Sequence, residues 1–240
     1  MSINHTKPAV SEDRPPQRLT YPRAETAQPW LAALLDAYHV IDRGVREAVR
    51  REERQGRRLA CGRGCAACCR SHQDIPLYPL ELMGLYWYCI EQLGGELRRR
   101  LQRQLADYQG VGACPFLVDE ACSVHPLRPM ACRQFNVFDR VCAEGEDAYH
   151  RRRQDVMTPI RRFADAAFDR LLPFYGVKTK RERREAIGSG RVHALARPLR
   201  GVDWSRLAQR MQATESEGPI HSGTAGPSRE GAPGGQVSIG

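Results

Sequence analysis

Apolar residues return at three- and four-residue steps in several stretches of the chain, the period of an amphipathic helix. Trp30, Leu31, Leu34, Leu35, Tyr38, Ile41, Val45 and Val49 form the longest such stripe, which ends in an Arg-rich run before Gly62 and Gly64. Arginine is favourable at the negative pole of a helix, and glycine beyond it lets the chain turn away. A second helix is predicted from Pro79, a good first-turn residue, through Leu82, Tyr86, Cys89, Ile90 and Leu93. Gly94-Gly95 should break it, and Leu97, Leu101, Leu105 and Tyr108 restart the period. A third helix follows through Met157, Ile160, Ala164, Ala167, Phe168, Leu171 and Leu172. Shorter ones are expected at 180–195 and from Asp203 through Trp204, Leu207 and Met211.

Strand signals are confined to one place. Pro115-Phe116-Leu117-Val118, Asp119-Glu120 and Ala121-Cys122-Ser123-Val124 read as a small hairpin. With Asp119-Glu120 as its loop, Val118 opposes Ala121, Leu117 opposes Cys122 and, if the ladder continues, Cys114 opposes His125. Alternation would then put Cys114 and His125 on one face and Cys122 on the other, unless a bulge re-aims one of them. The predicted fold is mostly α: an irregular helical domain with a cysteine-rich loop and one small β-hairpin.

The ends of the chain look different. Residues 1–27 hold Pro8, Pro15, Pro16 and Pro22 with little apolar content and read as a disordered arm. Residues 213–240 are rich in Gly, Pro and Ser and read as a flexible tail, leaving 28–212 as the helical domain. No apolar run approaches the ~18 residues that span a bilayer, and no apolar block follows the first charges as in a secretory signal. A soluble, cytoplasmic chain without a membrane partner is the expectation.

Charge adds little to this picture. The 37 Lys and Arg outnumber 28 Asp and Glu, and only Lys7, Lys178 and Lys180 are lysines. A basic balance suits a polyanion partner. The runs Arg98–Arg100, Arg151–Arg153 and Arg181–Arg184 are scattered and lack interleaved aromatics, which argues against nucleic acid. No protein partner can be named from the sequence.

The nine cysteines change the picture most. Cys61, Cys65, Cys68 and Cys69 fall within nine residues; Cys114, Cys122, Cys132 and Cys142 follow, and Cys89 stands apart on an apolar helix face. In a reducing compartment clustered thiols serve metals or redox chemistry before disulfides, and adjacent Cys68 and Cys69 cannot easily bridge each other. Short spacings let several sulfurs converge on one ion, Gly62 and Gly64 permit tight turns, and Ala66 and Ala67 keep bulk out. Zinc and iron–sulfur clusters both take four such thiolates. Arg63, Arg70, Arg128 and Arg133 would favour the thiolate form. Cys61-x3-Cys65-x2-Cys68 also spells the spacing of radical S-adenosylmethionine enzymes, but no strand–helix repeat follows it. His125, between Cys122 and Cys132, is a further candidate ligand, whereas His72 reads as a surface or packing residue and His150 has no ligand-like context.

CGRGCAACCR followed by CPFLVDEACSVHPLRPMACRQF resembles the YkgJ-type cysteine-cluster family, over roughly residues 58–142. The matching positions are Cys61, Cys65, Cys68, Cys69, Cys114, Pro115, Phe116, Leu117, Cys122, Arg128, Pro129, Cys132 and Arg133. His125 stands where that family has an aromatic. The resemblance implies metal binding, zinc or an iron–sulfur cluster, with Cys61, Cys65, Cys68, Cys69, Cys114, Cys122 and Cys132 as the ligand set. Flagellin lysine N-methylases look similar in this module, which keeps an enzyme as the alternative, although no methyl-donor site is recognisable.

Overall fold

A computed structural model of the chain describes residues 15–62 and 64–216. Ten α-helices order along it as α1 (Pro22–Ala27), α2 (Pro29–Arg54), α3 (Ala67–Ser71), α4 (Pro79–Glu91), α5 (Gly95–Ala106), α6 (Met130–Gln134), α7 (Ala148–Arg151), α8 (Arg161–Leu171), α9 (Lys180–Gly188) and α10 (Ser205–Ser216). Two antiparallel pairs of two-residue strands complete it. One joins β1 (Pro76–Leu77) to β4 (Arg197–Pro198); the other is the hairpin of β2 (Leu117–Val118) and β3 (Ala121–Cys122). The mostly helical class expected from the periodicity is the observed one.

The apolar stripe of α2 is the centre of the core. Leu31, Leu34, Leu35, Tyr38 and Ile41 are buried among Leu85 of α4, Ala167 and Leu171 of α8, and Leu101, Leu105, Trp204 and Leu207 of the α5–α10 side. Two glycines set how closely the helices approach. A Cβ on Gly44 would stand 2.7 Å from Phe163 Cβ, and one on Gly84 would stand 2.5 Å from Leu34 Cδ2. Real Cβ atoms do not come that close, so α2 packs against α8 and α4 through gaps only glycine leaves.

Buried charge then fixes the ends of helices. Glu81 is fully buried, and its two oxygens accept from the backbone N–H of Tyr78 at 3.0 Å and of Met130 at 2.6 Å. One carboxylate thus satisfies orphan donors at the starts of both α4 and α6, where helix dipoles favour negative charge. Burial nonetheless pushes its acid up to about 7, with those two N–H groups and Arg133 pulling the other way. At the other end of α4, Arg98 donates to the carbonyls of Cys89 and Ile90 and, across the interface, to Met211 of α10.

The basic runs are spent partly in buried contacts and partly in surface ion pairs. Beside buried Arg98, Arg99 pairs with Glu96 and Arg100 with Asp119; buried Arg152 pairs with Glu146 and Asp155, and Arg183 with Asp169. Within the stretch expected to be an unfolded arm, Pro22–Ala27 is helical and Arg18 bridges Glu25 and Asp36 at 2.7 and 2.5 Å. The last helix continues to Ser216, past the boundary set at 212. The remainder of the two expected flexible ends, 1–14 and 217–240, lies outside the described residues. Among the described residues, no helix is long and apolar enough to cross a membrane.

Candidate metal centre

The cysteine loop begins where α2 has ended. Leu59 makes a bridge to Phe138, and Ala60 N–H donates to Val137 O at 2.8 Å, so the loop starts pinned to a distant segment. Gly64 takes φ of +80°, a conformation that side chains resist, and turns the chain into α3 with Cys68 and Cys69 on its first turn. The carbonyl of Cys69 accepts from Cys114 N–H at 2.7 Å. That bond brings the second cysteine segment onto the first.

From Cys114 the chain turns rather than continuing as a strand: Leu117 N–H donates back to Cys114 O at 3.0 Å. The hairpin has the expected register, Leu117 opposite Cys122 and Val118 opposite Ala121. Its loop residues Asp119 and Glu120 have φ of +49° and +61°, as a two-residue primed turn demands although neither is glycine. Ion pairs from Arg100 to Asp119 and from Arg70 to Glu120 hold that strained tip to α5 and α3. The ladder does not extend to the expected Cys114–His125 pair, because Cys114 has left through its turn and His125 opens a 3-10 turn, His125–Leu127. Strand parity therefore does not separate Cys114 from Cys122. Both lie in electrostatic reach of Cys69.

Cys132 arrives on α6. Its neighbour Arg133 is buried and clamps the approach, donating to the carbonyls of Arg128 at 2.9 Å and Pro126 at 2.5 Å and to Asp42 at 2.8 Å, with its guanidinium over the Tyr38 ring. Cys132 is half-buried, and its thiol is pushed well above the ordinary range by desolvation, then by Cys68, Cys122 and Cys69. The neighbouring Cys69 raises the Cys68 thiol strongly, and Cys114 raises that of Cys69 to about 12 against the opposing effect of Cys68. Cys122 is raised by burial and by Cys68, against the pull of Arg128 and Arg133. Five thiols from α3, the 114 turn, β3 and α6 thus adjoin one another. Their contacts are pairwise, and among the described residues no three sulfurs lie within 4.8 Å of one another.

Cys61 and Cys65 sit to one side of this group. Cys61 Sγ accepts from Val137 N–H at 3.3 Å, and burial raises its thiol to about 11, with Cys65, Cys68 and Cys142 adding to the rise. Cys142 is close enough to Arg152 for its Sγ to accept a hydrogen bond at 3.5 Å. It joins Cys61 and Cys65. Cys89 is wholly buried in the apolar core, as its helix face implied.

The arginines expected to favour thiolate divide. Arg128 lowers the Cys68 and Cys122 thiols and Arg133 that of Cys122, Arg70 is paired with Glu120, and Arg63 lies outside the described residues. His125 titrates among Arg128, Arg133 and Asp42, and burial lowers its pKa first. The sequence missed Arg200. It is 5% exposed, and its guanidinium donates to the carbonyls of Cys69 at 3.1 Å, Arg70 at 3.4 Å and His72 at 2.9 Å, and to Gly112. The first three carbonyls lie at the end of α3, so one distant arginine holds the helix that presents Cys68 and Cys69.

A helical domain here gathers thiols from four short segments into one thiol-rich module. Residues 60–155 match the model of the CxxCxxCC family, described as "Putative zinc- or iron-chelating domain". The match takes in Cys142 as well as the seven cysteines expected as ligands. No curated protein and no solved structure matches the chain.

Proposed function

We propose that the protein binds zinc or an iron–sulfur cluster through cysteine thiolates and that the bound group staples the cysteine module together. The observation that carries this reading is the convergence of Cys68, Cys69, Cys114, Cys122 and Cys132 from three elements of two to five residues each and the turn at Cys114. Elements that short form few internal hydrogen bonds and do not stand alone. Neutral buried thiols are poor partners for one another, being weak donors and weak acceptors. A cation among them stabilises the thiolate forms, which would otherwise repel one another, and so converts the thiols into ligands and releases their protons. Cys61 and Cys65, which the family motif also supplies, complete the ligand set from the open side with Cys142 near them.

Anaerobic purification of the full chain with determination of metal and acid-labile sulfide tests this. Zinc without sulfide supports a four-thiolate ion; iron with matching sulfide supports a cluster. A reduced protein with neither, and unable to take up either, contradicts it. Stapling has its own readout. Chelation should accelerate amide exchange in 66–71 and 114–134 while the α2–α8 pair stays protected, and unchanged exchange would show that the metal does not hold the module.

A further inference from the structure

We propose a second metal site of different chemistry, in which His72, Asp147 and His150, with Asp74 beside them, take a borderline divalent transition ion through nitrogen and oxygen. Among the described residues this is the group whose ligand atoms all lie within 4.8 Å of one another. His72 Nδ1 lies 2.9 Å from Asp147 Oδ2, and His150 Nε2 lies 3.9 Å from the same oxygen and 2.7 Å from Asp74 Oδ2. Ligands about 2.1 Å from a tetrahedral ion stand ~3.4 Å apart, so these separations straddle the required value. Small side-chain rotations bring them to it.

The site is also held in place. Asp147 caps α7, its Oδ1 accepting from Tyr149 N–H at 2.9 Å, which leaves Oδ2 directed at the two imidazoles. His72 is 5% exposed and its ring rests on Phe135 at 4.7 Å and Tyr149 at 5.4 Å. His150 is exposed, giving an ion a route in from solvent. Two imidazoles and two carboxylates balance a divalent charge. That set suits zinc, ferrous iron or cobalt, whereas the sulfur set nearby suits softer chemistry. His72 N–H donates to Cys68 O at 3.0 Å, so the site stands one helical turn from the cysteine pair without sharing a ligand with it.

Cobalt(II) alone distinguishes the two sites in the reduced, metal-free full chain. Thiolate binding gives intense sulfur-to-cobalt charge transfer; nitrogen and oxygen ligands give only weak visible bands. Total bound cobalt should exceed, by one equivalent, the amount at which charge transfer saturates. His150→Ala, at an exposed position, and Asp147→Asn, which keeps the Oδ1 cap, should each weaken that extra equivalent at least tenfold and leave charge transfer unchanged. Bound cobalt that stops where charge transfer saturates overturns the proposal, as does an extra equivalent that both variants retain. An extra equivalent without any charge transfer upholds this site and counts against the thiolate centre alone.

Discussion

The backbone N–H of Cys114 donates to the carbonyl oxygen of Cys69 at 2.7 Å, so the two cysteine segments of the family motif are joined by main chain before any ion is considered. The same carbonyl accepts from Arg200, which arrives from just beyond β4. The thiols are therefore assembled by the fold, and what an ion adds is a tie among elements already in place.

Arg200 is expected to matter far more than an ordinary surface arginine. Arg200→Ala takes a donor from the carbonyls of Cys69, Arg70, His72 and Gly112; Cys69 O keeps the Cys114 N–H, whereas the buried His72 carbonyl loses its arginine partner. The cost should be about 2–4 kcal/mol, several times that of an exposed-arginine control such as Arg99→Ala. Denaturant midpoints of the two variants check it; equal midpoints would show that α3 does not depend on the clamp.

Glu81→Ala should destabilise by about 2–5 kcal/mol, since two buried N–H groups lose their acceptor and a cavity opens. Because burial raises Glu81 to about 7, its ionised form is disfavoured by folding. Its contribution is whole below pH 4.5, its ordinary value, and falls as pH rises to about 7. Glu81→Gln should remove that slope, which stability curves between those pH values would show.

The two forms of the protein should respond to pH with opposite sign. In the metal-free fold Cys61 sits at about 11 and Cys69 at about 12, against 9.0 ordinarily. The unfolded chain releases those protons first, so metal-free stability is full below pH 9 and falls as pH rises through the folded values. The metal-bound form needs thiolates and weakens on acidification instead. Unfolding with and without chelator across pH checks this, and parallel curves would contradict it.

How much of this the chain discloses depends on length of pattern. The stripes from Trp30 to Val49 and from Leu97 to Leu105 span several turns and match α2 and α5. Helices α3, α6 and α7 have four or five residues, too few for a period to register, and two of them carry cysteines. The hairpin register was legible from its apolar dipeptides, but the early end of the ladder was not, because it depends on the Cys114–Leu117 turn. Arg200 looks like any other arginine in so basic a chain; only the return of β4 onto β1 brings it to α3. His72 and Asp147 are 75 residues apart, and neither His72-Gln73-Asp74 nor Asp147-Ala148-Tyr149-His150 is informative until folding opposes them.

Metal content in three cysteine variants tests the central claim most directly. Cys69→Ser and Cys132→Ser each remove a sulfur from the converging group, while Cys89→Ser changes one buried in the core. Purified anaerobically, the first two should lose most of the thiolate-bound metal that the unaltered chain holds, and the Cys89 variant should keep it. A Cys132 variant with full metal content, or equal loss in all three, would contradict a thiolate centre closed between α3 and α6.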